Sequence, residues 1–188
     1  MAVISIGDVF PDLAFETYSG SSLTVSEAVA RKPKTVFWVN RFIGCRTCQY
    51  DMDSLAEEYA AFTQRDAQVF VVIQSKRESI ISQKGEWSVP FDIICDPKRQ
   101  IYRALDVHPT ATKEDRIPKT KEGLERLAQK QQAVKNGNYV SGPVEGEAQQ
   151  LPALFIVGSD SKVLYAHYAV DSVDIPNVGE LLQLLDNL

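Results

Sequence analysis

The sequence predicts an α/β fold in which a central mixed β-sheet is flanked by helices, and three observations carry that expectation. Short runs apolar on both faces, at 35–39, 68–73 and 91–95, have the signature of buried strands. Stretches with apolar residues at spacings of three and four stand between them. The first two runs are separated by one such helix, which is the order of a right-handed βαβ crossover.

Taken in order, Gly7-Asp8-Val9-Phe10-Pro11-Asp12 is turn-like and 13–17 alternates as a short strand. Tyr18-Ser19-Gly20-Ser21 turns the chain back into 22–25, an N-terminal β-hairpin. A short helix at 26–30 ends at the breaker Lys32-Pro33-Lys34, and the run 35–39 follows as a central parallel strand. From Cys48 the residues Met52, Leu55, Ala56, Tyr59 and Phe62 form the apolar stripe of an amphipathic helix, with Asp51, Asp53, Glu57 and Glu58 between them. Strand 68–73, a short helix at 78–84, strand 91–95 with Asp96-Pro97 at its end, and a helix at 98–105 complete the first half. The stretch 107–150 is polar, holds four of the ten glycines and carries one thin helical stripe of Leu124, Leu127, Ala128 and Val134. It reads as a helical insertion, in the plain case a surface excursion, with a lid over the active site or a dimer arm as the functional alternatives. Strand 151–157, the turn Gly158-Ser159-Asp160-Ser161 and strand 162–168 form an antiparallel pair. Asp174-Ile175-Pro176-Asn177 then precedes a closing helix at 178–188, with Leu181, Leu182, Leu185 and Leu188 on one face. At 188 residues, with no shift in composition, the chain is expected to be one domain, 1–188.

A formal net charge of -5 and a pI near 5.1 leave no basic face for a phosphate backbone, so nucleic acid is not an expected partner. The first residues lack a positive region followed by 7 to 15 apolar residues, and no later run approaches the roughly 18 apolar residues of a membrane span. The expected location is the cytoplasm, with no membrane partner. Cys45, Cys48 and Cys95 are the only cysteines. That is too few for a secreted disulfide framework and fits a catalytic pair plus one further thiol.

The chemistry concentrates in Arg41-Phe42-Ile43-Gly44-Cys45-Arg46-Thr47-Cys48, where a buried strand hands over to a helix N-terminus. Unpaired N–H groups and the positive end of the helix dipole stabilise a thiolate there, and Arg41 and Arg46 add charge. Cys45, at the turn, is the expected nucleophile. Cys48, one helical turn further in, is the expected resolving sulfur that closes an intramolecular disulfide. Arg46 between them is expected to favour the thiolate form. Three other readings of the pair compete: a structural zinc site, for which only Cys95, His108 and His167 remain as donors without ligand spacing; a structural disulfide; and an inert reduced pair. No metal and no cofactor are expected.

The order βαβ, helix, β-hairpin and terminal helix resembles the thioredoxin fold, which implies a three-layer arrangement. With the extra N-terminal hairpin, Asp96-Pro97 ahead of a helix, and Leu151-Pro152, the chain is similar to the redoxin and peroxiredoxin-like (AhpC/TSA) branch. It looks closest to members with an Arg-x-x-Gly-Cys-x-x-Cys motif, met by Arg41, Gly44, Cys45 and Cys48. The resemblance covers roughly 7–106 and 150–188. It implies a thiol-dependent enzyme that reduces a peroxide or a disulfide and is recycled by a thioredoxin- or glutathione-type reductant, a homodimer being one compatible assembly. It also implies a cis bond at Leu151-Pro152 facing the cysteines, so that backbone at Leu151 pairs with substrate. The sequence departs both from the branch and from thioredoxins. Trp38 and Phe42 stand seven and three residues before Cys45, where peroxiredoxins carry a Pro and a peroxide-binding Thr. That leaves Arg41 and the N–H groups of Gly44 and Cys45 to stabilise a departing oxygen. Gln150-Leu151-Pro152 replaces an expected arginine near the later strand, and the strand before the cysteines lacks the carboxylate of thioredoxins.

Cys95 shares a strand face with Phe91 and Ile93 and reads as a buried inert thiol, a second resolving cysteine being the alternative. His167 reads as a surface or half-buried side chain, with proton relay as its functional alternative, His108 as loop, and Trp38 as core. A function of another class is also compatible: a redox-sensing or interaction module whose thiol pair switches the conformation of 107–150.

Overall fold

The computed structural model describes residues 3–85 and 88–188. The N-terminal hairpin forms from β1 (Ala14–Thr17) and β2 (Ser22–Thr24). Thr24 then caps α1 (Val25–Val29) through a reciprocal capping box with Glu27. Strand β3 (Lys34–Val39) leads through the cysteine turn into α2 (Arg46–Glu57), which breaks at Glu58 and resumes as α3 (Tyr59–Gln64). Next come β4 (Ala67–Ile73), α4 (Arg77–Lys84), β5 (Asp92–Cys95) and α5 (Gln100–Ala104). The inserted segment holds a 3-10 turn (Glu114–Arg116) and α6 (Lys121–Asn136). Strands β6 (Ala153–Gly158) and β7 (Val163–Tyr168) and helix α7 (Val178–Asp186) close the chain.

These strands make one seven-stranded mixed sheet in the order β2-β1-β5-β4-β3-β6-β7. The expected βαβ unit is present, with β3 parallel to β4 and β4 parallel to β5, while β6 runs antiparallel to β3. The period-two alternation of the strands sorts their side chains into two apolar layers. Phe37, Val39, Phe70, Val72, Phe155 and Val157 point to the face covered by α1 and α5. Val36, Trp38, Val69, Val71, Leu154 and Ile156 point to the face covered by α2, α3, α4 and α7. The result is the three-layer α/β arrangement expected from the sequence. Burial on both faces explains why β3, β4 and β6 read as continuous apolar runs.

Several local devices hold the end of β3 where the cysteines begin. Tyr102 of α5 is fully buried, and its hydroxyl lies 2.7 Å from the Asn40 carbonyl and 3.1 Å from that of Val72. Asp96 accepts from Gln100 N (2.8 Å) and Ile101 N (2.7 Å), so the Asp-Pro pair serves to start α5.

The inserted segment is mostly exposed, but parts of it pack on the body of the protein. Helix α6 packs on α2, where Lys130 Nζ lies 2.7 Å from Asp51 Oδ1, with only 14% and 13% of the two side chains exposed. The chain after α6 crosses the cysteine turn as a strap. Gly142 N donates to Gly44 O at 3.0 Å, Gln49 Nε2 donates to Val140 O at 2.9 Å, and Gln74 Oε1 accepts from Glu147 N at 2.7 Å. Polar composition suggested solvent because these contacts are hydrogen bonds, which leave no apolar period in the sequence.

Candidate active site

Cys45 is the N-cap residue of α2, with extended backbone, and its Sγ accepts from Cys48 N at 3.2 Å. The Cys45 sulfur thus takes the place that an Asn, Asp or Ser oxygen ordinarily fills, at the positive end of a twelve-residue helix. Two side chains converge on the same atom: Arg41 Nη2 donates at 2.9 Å, and Thr47 Oγ1 lies 3.1 Å away. Cys45 and Cys48 are joined as a disulfide with their Cα atoms 5.3 Å apart, inside the ordinary range. Both are buried, at 5% and 2% exposure, beneath the strap.

Arg41 is held on both sides. Its Nη1 donates to Ala148 O at 2.9 Å, and the same carbonyl accepts from Arg116 Nη1 at 2.6 Å. The Arg41 pKa is lowered to about 10, chiefly by burial and also by the Arg116 charge, with Asp51 opposing the shift. The guanidinium therefore stays charged at neutral pH, poorly solvated and aimed at sulfur. A cavity of about 140 Å³ borders Arg41, Thr47, Cys48, Arg116, Lys130 and Pro152.

The sequence-derived residues fare differently from one another. Arg41, Cys45 and Cys48 lie together, Arg41 on the Cys45 sulfur and the two cysteines bonded. Gly44 sits in the same turn for a steric reason: a Cβ there would lie 2.6 Å from Gly142 C and from Pro143 O, so only glycine admits the strap. Arg46 is exposed beside the site, and no hydrogen bond joins it to Cys45 among the described residues. The N–H of Cys45, expected to face a departing oxygen, donates instead to Phe42 O at 3.1 Å. Pro152 borders the cavity, but the expected cis bond is absent: the described chain has no cis peptide, so Leu151-Pro152 is trans. At Leu151, whose backbone was expected to meet substrate, the carbonyl accepts from Gln150 Nε2 at 3.1 Å.

Sequence reasoning missed Thr47 and Arg116. Phe42 stands where the resemblance implied a threonine, yet a threonine hydroxyl reaches Cys45 from two residues downstream instead. Its place in the first turn of α2, two positions past the N-cap, was a usable signal. Arg116 stands in the insertion, where nothing in the local pattern marks it as an inward-pointing arginine.

The other candidates lie apart from the sulfur pair. His167 Nε2 is 2.8 Å from Asp174 O, and His108 Nε2 is 3.0 Å from Asp106 Oδ1. Among the described residues no group of three His, Cys, Asp or Glu side chains converges as a metal site would require. Burial, with Glu78 adding to it, pushes the Cys95 thiol up to about 12. Its thiolate fraction at neutral pH is therefore on the order of a thousandfold below that of a free cysteine. Iodoacetamide at pH 7 is expected to alkylate Cys45 of the reduced protein well before Cys95, as read by peptide mass spectrometry. Equal labelling would contradict this ranking.

Strand order and a cysteine pair at the β3–α2 turn define a thioredoxin-fold thiol redox protein. The chain belongs to the AhpC/TSA family, whose sequence profile matches residues 6–166. No curated protein matches it in sequence. Solved structures share the fold at low identity. A mutant of peroxiredoxin 6 of Arenicola marina is 16% identical with a TM-score of 0.66, over 97% of this chain and 72% of that one. Peroxidoxin BcpB from Mycobacterium tuberculosis is 12% identical with a TM-score of 0.65, over 98% of each chain. AhpC of Mycobacterium tuberculosis is 17% identical with a TM-score of 0.65, over 98% and 93%. Family membership and the paired sulfurs together make the chain a thiol-dependent oxidoreductase. No helix among the described residues is long and apolar enough to cross a membrane.

Proposed function

We propose that the chain is a two-cysteine thiol peroxidase, and the observation that carries this reading is the Arg41 guanidinium donating to Cys45 Sγ at 2.9 Å. A fixed cation at that distance favours the thiolate and stabilises negative charge as it moves onto the leaving oxygen. The Thr47 hydroxyl is a second donor at the same place. The Cys45 thiolate attacks one peroxide oxygen, the O–O bond breaks, and the departing oxygen leaves as water or an alcohol after taking a proton. Sulfur is oxidised to a sulfenic acid. Cys48 then attacks that sulfur, the S–O bond breaks, water departs and the Cys45–Cys48 disulfide forms. Two electrons from an external dithiol of the thioredoxin type, or from two glutathione-type thiols, restore the pair, a supply that a reducing compartment such as the cytoplasm would provide.

The experiment sets peroxide against disulfide. Reduced protein is expected to consume hydrogen peroxide at least about a hundredfold faster than free cysteine, given one strong oxyanion-type donor at the sulfur, and to reduce insulin disulfides slowly. Insulin reduction with peroxide consumption no faster than free cysteine would instead make it a disulfide reductase. A second reading, a redox switch acting on 107–150, draws on the Gly142 to Gly44 hydrogen bond, which ties the strap to the reactive turn. Sustained turnover with a reductase, rather than one oxidation per chain, separates the enzyme from the switch.

A further inference from the structure

A second opening lies against the outer side of the sulfur site, lined by Arg41, Arg46, Thr47, Gln131, Val134 and Lys135. Three of these six are cations and none is an acid, on a chain whose net charge is -5. Arg46 is the first residue of α2, and Lys135 stands in the last turn of α6, so two separate elements bring the charges together. Neither forms an ion pair with a carboxylate among the described residues, although Lys130 on the same helix is paired. The inner wall is made by Arg41 and Thr47, the two side chains that touch Cys45 Sγ. A molecule in this recess is therefore one side chain away from the reactive sulfur. Val134, itself buried, is the one apolar residue in the lining.

Resting on the peroxidase reading above, we infer that this recess selects organic hydroperoxides that carry a carboxylate over neutral ones. The carboxylate lies between Arg46 and Lys135, and the hydroperoxide group points to Arg41 and Thr47, the inner wall that touches Cys45 Sγ. In the reaction the Cys45 thiolate bonds to the terminal oxygen and the O–O bond breaks. The inner oxygen takes a proton and leaves as the alcohol, still bearing its carboxylate. Sulfur loses the two electrons that the O–O bond gains, and the external dithiol returns them.

The test measures second-order oxidation of reduced protein by rapid-quench alkylation with three oxidants: hydrogen peroxide, cumene hydroperoxide bearing a para-carboxylate, and the methyl ester of that acid. The acid is expected to react about five- to tenfold faster than the ester at low salt, the gap narrowing as ionic strength rises. Lys135→Glu should bring the acid-to-ester ratio to one or below, whereas Lys135→Arg keeps it. The ratio is read within each variant, so a general loss of activity or stability does not imitate the result. An acid-to-ester ratio of one in the parent protein, with hydrogen peroxide still reacting quickly, overturns this inference alone. A ratio unchanged by Lys135→Glu also overturns it. If no oxidant outpaces free cysteine, the peroxidase reading falls as well.

Discussion

Cys45→Ser is expected to reduce peroxide turnover to background, a loss of about a thousandfold or more, because removal of the attacking atom leaves only its binding environment. The serine hydroxyl keeps the N-cap geometry and the contacts with Arg41 and Thr47, so the fold should survive and the loss should be chemical. Cys48→Ser should behave differently. It leaves the first oxidation intact and removes disulfide closure, so each chain consumes one peroxide and accumulates a sulfenic acid that dimedone traps. Cys95→Ser, on the far strand β5, should leave turnover unchanged. Coupled peroxide consumption and intact-mass spectrometry report all three. Normal turnover by Cys45→Ser would remove both the peroxidase and the redox-switch readings.

The second large effect concerns the covering segment. Lys130→Ala should destabilise the protein by about 3 kcal/mol, the lower end for breaking a buried ion pair, since each partner keeps slight solvent contact. The cost arises because the largely buried Asp51 carboxylate loses its ion-pair partner. Replacing both partners, as in Asp51→Leu with Lys130→Met, should recover most of the loss, since no charge is then left unpaired. Urea unfolding of the two single variants and the double variant measures this coupling. A single-variant loss below about 1 kcal/mol would class the pair with ordinary surface salt bridges and leave the strap's hydrogen bonds as the main tether.

Much of the fold was legible because it rests on local periodicity. The continuous apolar runs of β3 and β4 reflect a sheet buried on both faces, and the three-four spacing from Met52 to Phe62 reflects one helix face meeting one core; the structure sorts the strand residues into two apolar layers and puts the helix residues in one of them. The N-terminal hairpin, the βαβ unit and the final antiparallel pair followed from turn residues between such runs. The sulfur pair was legible for a similar reason, since a helix start after an apolar strand is itself a local signal. The arrangement around it was less so. Glycine at 44 looked like part of a chemical motif, whereas its Cα faces the backbone of Gly142 and Pro143 nearly a hundred residues away. The bond at Leu151-Pro152 was inferred from resemblance, and the chain is trans there.

By itself the sequence determined the layers, the strand order's central unit, and the position of two sulfurs at a helix N-terminus. These depend on interactions between residues a few positions apart, or on burial that amino-acid type reveals. Only the tertiary structure decided what surrounds the sulfur. Arg116 and Arg41 meet at Ala148 O, the strap closes over Gly44, and Lys130 finds Asp51 across 79 positions. Such contacts are single polar pairings between distant segments. They have no period, and a polar residue that points inward reads along the chain like one that points to water.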